Sequence, residues 1–185
     1  MIYNDRWCVL HIPRTAGTNF KANAIMRYNN LMKLPHSSST VESRLSQHNP
    51  LSSFSNLLDG QIVYAIVRHP YVRALSLYTY ALNDPIMSKM LGPISFEDFF
   101  MGVDLSHYCE WSPRTTQCEF IEHSDIEVET FRMEDSMSKL YAATQVLHYK
   151  RYINKSVGNY TKYDTPKNKQ LIEEIFSIDY EKFNY

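Results

Sequence analysis

Apolar residues in this chain come as short continuous runs and as helical stripes, in alternation. The run WCVLHI (7–12) is stopped by Pro13 and predicts a buried strand. QIVYAIV (61–67), which ends at Arg68-His69-Pro70, predicts a second, and IEVETF (126–131) a third. Elsewhere the spacing is helical. Phe20, Ala24, Ile25 and Tyr28 share one face of a helix predicted over 18–28. Pro70 suits a first helical turn, and Tyr71, Leu75, Tyr78 and Leu82 follow at steps of four, three and four. Ser95, with Asp98 three residues on, caps a short helix over 96–101. A helix over 134–148 carries Met137, Leu140, Thr144 and Leu147 on one side. Thr165-Pro166 opens a last helix that buries Leu171, Ile172, Ile175 and Phe176. Residues 29–59 predict no element, and 83–125 predicts little beyond the short helix. Strands alternating with helices predict an α/β fold, a central mainly parallel sheet flanked by helices.

A chain of 185 residues suits one domain, 1–185, with a single sizeable core. Its 44% hydrophobic and 21% charged residues exclude disordered and fibrous classes. A net charge of −1 gives no bulk attraction to nucleic acid or to an anionic membrane, so neither is expected as a partner. No run of 18 apolar residues exists to span a bilayer, and the N-terminus MIYNDRWCVLHIP lacks signal-peptide character. The expectation is a soluble, cytoplasmic protein. Cys8, Cys109 and Cys118, an odd number, read as reduced thiols. The sequons at Asn154 and Asn159 matter only in a secreted chain.

Candidate chemistry gathers at the ends of the first two strands. Pro13-Arg14-Thr15-Ala16-Gly17-Thr18 leaves a strand and opens a helix, which aims backbone N–H groups and the helix dipole at one spot. The hydroxyls of Thr15 and Thr18 add donors, and Arg14 adds a planar charged fork. Phosphate or sulfate fits such a cradle; the alternative is an ordinary capped turn. The loop lacks the Gly-Lys-Ser/Thr ending of a Walker A motif. In the second segment, Arg68 stands where a strand ends, the usual ligand edge of a parallel sheet, and Ser76 lies on the second turn of the next helix. The two can converge on one anion. Arg73 between them has the plainer option of pairing with a carboxylate.

Together these segments resemble the sulfotransferases that use 3′-phosphoadenosine 5′-phosphosulfate (PAPS), with the closest likeness to the carbohydrate branch that includes the heparan 2-O-sulfotransferases. There a Pro-Lys-Thr-x-Gly-Thr loop holds the 5′-phosphosulfate, and a Val-Arg-x-Pro-x-x-Arg-x-x-Ser-x-Tyr segment holds the 3′-phosphate. Residues 13–18 match the first; Arg68, Pro70, Arg73, Ser76 and Tyr78 match the second. Downstream, Arg132-Met133-Glu134-Asp135, Asn154-Lys155-Ser156 and the terminal Asp179-Tyr180-Glu181-Lys182-Phe183-Asn184-Tyr185 resemble further family segments in the same order. The resemblance implies a P-loop nucleoside-kinase-like core. It implies PAPS as co-substrate, adenosine 3′,5′-bisphosphate as product, no metal, and a hydroxyl acceptor, most simply a sugar. It assigns PAPS binding to Pro13, Arg14, Thr15, Ala16, Gly17, Thr18, Asn19, Arg68, Ser76, Asn154 and Ser156, with Lys155 or Lys162 as further phosphate contacts. Arg14 stands where the family has lysine. Arg keeps the charge but is larger and donates no proton near neutral pH. Trp111, in a stretch with Tyr108, Arg114 and Gln117 that resembles the family's acceptor side, either stacks on a sugar or belongs to the core.

A hydroxyl that attacks sulfur must lose a proton, and histidine suits that task. His48 is the candidate base, in the segment where the family places its catalytic His or Glu; His36 and Glu42 are the alternatives, while His11 and His69 read as structural. Other chemistries fit less well. Cys8 and Arg14 have a Cys-x5-Arg spacing, but the residues between them lack glycine and read as strand. His107, Cys109, Cys118 and His123 have no Cys-x2-Cys pair and make a poor zinc set. A nucleoside or sugar kinase would need the absent Walker lysine, and a non-catalytic PAPS- or glycan-binding relative would have Arg14 as its disabling change.

Overall fold

Three parallel strands carry the architecture. In the computed structural model, which describes residues 2–27, 32–33, 48–58, 60–148 and 160–185, these are β2 (Trp7–Leu10), β4 (Ile62–Val67) and β5 (Val128–Arg132). Val9 stands opposite Tyr64, and Ala65 opposite Thr130. Two short antiparallel strands, β1 (Ile2–Tyr3) and β3 (Met32–Lys33), extend the β2 side and give the order β3-β1-β2-β4-β5. The mainly parallel sheet is thus as expected, and the antiparallel additions were not foreseen.

Both faces of the sheet are covered at its centre, which is why β2 and β4 are apolar on every residue rather than on alternate ones, whereas β5 at the edge buries only Phe131. Trp7, Val9, Tyr64, Ile66 and Phe131 face one side. They pack with Phe20 and Ala24 of α1 (Gly17–Arg27) and Leu140 and Tyr141 of α6 (Met137–Thr144). Cys8, Leu10, Val63, Ala65 and Val67 face the other. There they meet the larger layer: α2 (Pro70–Asn83), α3 (Pro85–Leu91), α4 (Phe96–Gly102), α5 (Gln117–Ile121), α7 (Pro166–Ile175) and α8 (Ser177–Phe183).

Several boundaries differ from expectation for local reasons. β2 stops at Leu10, because His11 and Ile12 already turn into the loop. The helix expected over 134–148 spans Met137–Thr144. Gln145 ends it in the left-handed region at φ 55, and Leu147 is exposed. The stretch 83–125 holds two more helices than foreseen. Asp84 caps α3 by accepting the amides of Ile86 and Met87, both at 3.0 Å. Thr116 and Glu119 cap α5 reciprocally, a Thr-x-x-Glu signal of standard form. The expected cap of α4 is present, with Ser95 Oγ accepting the Asp98 amide at 3.0 Å. Among the described residues, no helix is long and apolar enough to cross a membrane.

Candidate functional site

Because β2 and β4 are parallel neighbours, their C-terminal ends open onto the same edge of the sheet. The loop after β2 is tight and strained. Arg14 and Ala16 both take positive φ, 66 and 68, which costs an L-residue about 1–2 kcal/mol each. Left-handed residues on either side of one residue curve the chain into a concavity of N–H groups, as in anion nests. Thr15 is fully buried, and its hydroxyl donates to Ile12 O at 3.0 Å. That bond ties the turn together. The Ala16 carbonyl accepts the amides of Asn19 and Phe20, at 2.9 and 3.1 Å. The preceding amides of Gly17 and Thr18 take no part in that cap. Gly17 is required by space, since a Cβ there would lie 2.0 Å from Cδ2 of His11.

The two motifs meet. Arg14 Nε donates to Ser76 Oγ at 2.9 Å, across 62 residues of chain. Arg68 Nη1 donates to the Arg14 carbonyl at 3.1 Å. The Arg14 guanidinium lies 4.9 Å from the centroid of the Tyr80 ring. Ser76 is wholly buried, so it steadies Arg14 from below. Burial lowers the pKa of both arginines, and the charge of Arg68 lowers that of Arg14 further, while Tyr160 acts in the opposite sense on both. Among the described residues Arg68 forms no ion pair. Two half-buried cations side by side, beside a strained turn of N–H groups, form a site whose electrostatics favour a multiply charged anion.

His48 stands beside His11, which lies just ahead of the loop in sequence. Its Nδ1 is 2.6 Å from the His11 carbonyl, and its ring lies 4.2 Å from that of His11 and 6.2 Å from Trp111. A carbonyl only accepts, so Nδ1 carries the proton, and Nε2 is the basic nitrogen of the neutral ring. Trp111 is buried against Phe120, which assigns it to the core rather than to a sugar platform. Of the other expected contacts, Pro13 is buried with its carbonyl accepting from Arg73, Thr18 and Asn19 are half-buried on the first turn of α1, and the Lys162 ammonium lies 5.4 Å from the Tyr163 ring. His36, Glu42, Asn154, Lys155 and Ser156 lie outside the described residues. Burial pushes the Cys8 thiol up to about 12, the reverse of an activated nucleophile. Cys109 directs its thiol at the Trp111 carbonyl, 3.2 Å away, and Cys118 at that of Ile178, 3.7 Å away.

A buried polar frame behind the site was missed from the sequence. Arg73, 1% exposed, donates to Pro13 O at 3.3 Å and twice to Thr115 O, at 3.2 and 3.3 Å. It thus pairs with carbonyls rather than a carboxylate. Burial lowers its pKa to about 10, opposed by the charge of Asp179, so it stays cationic at neutral pH. Gln117 brackets the Arg68 backbone: Oε1 accepts the Arg68 N–H at 2.8 Å and Nε2 donates to the Arg68 carbonyl at 2.8 Å. Asp179, fully buried, accepts the amides of Gln117 and Cys118 at 2.8 and 2.9 Å. A charged residue inside the apolar run of α2 was the one available signal of this frame. No protein-family profile, curated protein or solved structure matches the chain.

Proposed function

We propose that the protein is a sulfotransferase that moves the sulfuryl group of PAPS to a hydroxyl acceptor, most simply one on a sugar. The carrying observation is that Arg14 of the first motif meets Ser76 and Arg68 of the second at one sheet edge. On this reading the three parallel strands are the centre of the family's nucleoside-kinase-like core. The donor set fits the co-substrate, because two cations and a turn of N–H groups suit a ligand with phosphates at both ends. When bound, PAPS supplies the sulfuryl group, which passes to the acceptor oxygen as the sulfur–oxygen bond to the 5′-phosphate breaks. Arg14 and the 13–18 loop amides hold the charge that grows on that phosphate. Arg68 holds the 3′-phosphate. His48, its Nδ1 proton committed to the His11 carbonyl, takes the acceptor proton on Nε2.

The deciding experiment is calorimetric comparison of adenosine 3′,5′-bisphosphate with ADP. The first should bind more tightly, and Arg68→Ala should cost it about 1.5–3 kcal/mol. Equal affinity for the two nucleotides would remove the sulfotransferase reading. With PAPS and a working acceptor, Arg14→Lys should keep turnover, whereas His48→Ala should lose roughly 10²–10⁴-fold while still binding nucleotide. Nucleotide binding without any turnover would instead indicate a non-catalytic relative.

A further inference from the structure

We propose that Gln117, braced by Asp179, is the positioning residue that sets Arg68 for a 3′-phosphate; this rests on the sulfotransferase reading of the site. β4 ends at Val67, so the backbone of Arg68 has left the sheet ladder. A residue just past a strand end is ordinarily free to swing with its loop. Here the side-chain amide of Gln117 takes the place of a neighbouring strand and satisfies both the N–H and the C=O of Arg68, each at 2.8 Å. The amide cannot rotate away easily. Its Nε2 also lies 3.3 Å from Asp179 Oδ2, and the same oxygen accepts the Gln117 backbone N–H at 2.8 Å. Gln117 and Asp179 are both fully buried.

The same frame reaches the other anion-binding segment. Thr115, two residues before Gln117, gives its carbonyl to Arg73, and Arg73 in turn holds the carbonyl of Pro13, next to Arg14. The segment 115–117 therefore fastens both strand ends. Its own anchor is Asp179 on α8, remote in sequence from either motif. With Arg68 Nη1 already reaching the Arg14 carbonyl, a small swing of the Arg68 backbone would change the distance between the two cations. Nucleotide discrimination, more than overall binding, should depend on that distance.

The test compares adenosine 3′,5′-bisphosphate with AMP by calorimetry. AMP lacks only the 3′-phosphate. Gln117→Met keeps the bulk and removes both bonds to Arg68. It should lower the preference for the bisphosphate about tenfold and leave AMP affinity within about twofold. Gln117→Glu supplies the second measurement, should the methionine variant fail to fold. Buried beside Asp179, that carboxyl is driven toward its neutral form. The acid form reproduces the bracket, with its carbonyl accepting the Arg68 N–H and its hydroxyl donating to the Arg68 carbonyl. The preference of Gln117→Glu relative to the parent should therefore recover as pH falls, a response a purely structural residue would not give. A parent that does not prefer the bisphosphate overturns the reading of the site and this proposal with it. A parent that prefers it, with variants that prefer it equally at every pH, overturns the positioning role alone.

Discussion

The ends of β2 and β4 lie side by side on one sheet edge and are built by opposite means. The β2 end is local. Its turn is closed by bonds spanning three or four residues, from Thr15 to Ile12 and from Asn19 and Phe20 to Ala16, and it accepts two left-handed residues to do so. The β4 end is assembled from afar. Arg68 is held by Gln117, 49 residues on, and Gln117 by Asp179, 62 residues further. The local end stores backbone strain that its short bonds offset. The distant end needs no strain but exists only once the last helix has docked. A chain that loses α8 should therefore keep the short bonds that close the first turn, loosen the Arg73 tie to Pro13, and lose the bracket on the second.

Arg73 joins the two ends, and its removal should give the largest effect. Arg73→Met strips three hydrogen bonds and leaves the Pro13 and Thr115 carbonyls without their donor. Leaving two such carbonyls unsatisfied costs about 1–3 kcal/mol each. Chemical denaturation should show a loss of that size. A loss under about 1 kcal/mol would mean that the two ends are independent and that the shared frame has no energetic weight.

The local end can be broken on its own. Gly17→Ala drives a methyl group into His11, whose ring already packs against His48. Overpacking of this kind costs about 1–3 kcal/mol. His11→Ala in the same chain should restore most of it, because the obstacle is that ring and not the backbone. If the double variant is no more stable than Gly17→Ala, the glycine is required for another reason. Either way Arg68 and its bracket should be unmoved, as read from unchanged preference between adenosine 3′,5′-bisphosphate and AMP.

This contrast also explains what was legible beforehand. The β2 turn is encoded where it stands, so 13–18 could be read as an anion loop from six consecutive residues. The alternation of apolar runs and stripes located the three parallel strands and most helices, because burial on both sheet faces writes itself into composition. Gln117, Asp179 and the carbonyl-bound Arg73 were not legible in their roles. Each acts through main-chain groups, which look the same at every residue. Only tertiary contact tells which carbonyl or amide a buried polar side chain will meet. Helices α3 and α5 were a different kind of miss, since Asp84-Pro85 and Thr116-x-x-Glu119 are local capping signals. Trp111 shows a limit of resemblance: a tryptophan in an acceptor-like stretch belongs to the core.

A gentler perturbation acts on both ends at once. Cys8 lies in β2, and Cys118 gives its amide to Asp179; burial pushes both thiols up to about 12 from an ordinary 9.0. The folded-state pKa is raised, so the stabilisation is complete below pH 9. It is lost as pH climbs from 9 towards 12, where the unfolded chain ionises and the native one does not. Cys8 should contribute a loss of up to about 1.4 kcal/mol per pH unit in that window, and Cys118, partly screened by solvent, a smaller one. Denaturation midpoints measured from pH 8 to 11 should fall accordingly. Cys8→Ala and Cys118→Ala should each flatten the fall, one at each end of the comparison. A fall as steep in both variants as in the parent would assign the alkaline loss to other groups, such as the buried tyrosines.

The smallest effect is the most direct measure of strain in the local end. Ala16 holds φ 68 with a Cβ in place, where a left-handed L-residue costs about 1–2 kcal/mol. Glycine there escapes that cost but gives the unfolded chain more freedom, worth about 0.5–1 kcal/mol. Ala16→Gly should therefore stabilise the fold slightly, by about 0.5–1 kcal/mol, where most substitutions do the reverse. The opposing expectation concerns binding. A turn that no longer resists other conformations presents its N–H groups less well ordered, so affinity for adenosine 3′,5′-bisphosphate should drop by a few-fold even as the melting temperature rises. Because AMP shares the 5′-phosphate that the proposed function assigns to this loop, its affinity should drop by the same factor, unlike in Gln117→Met, where only the bisphosphate should suffer. If Ala16→Gly instead melts lower than the parent, the left-handed turn is not strained as its dihedral angle implies, and the distinction between a strained local end and a relaxed distant one falls.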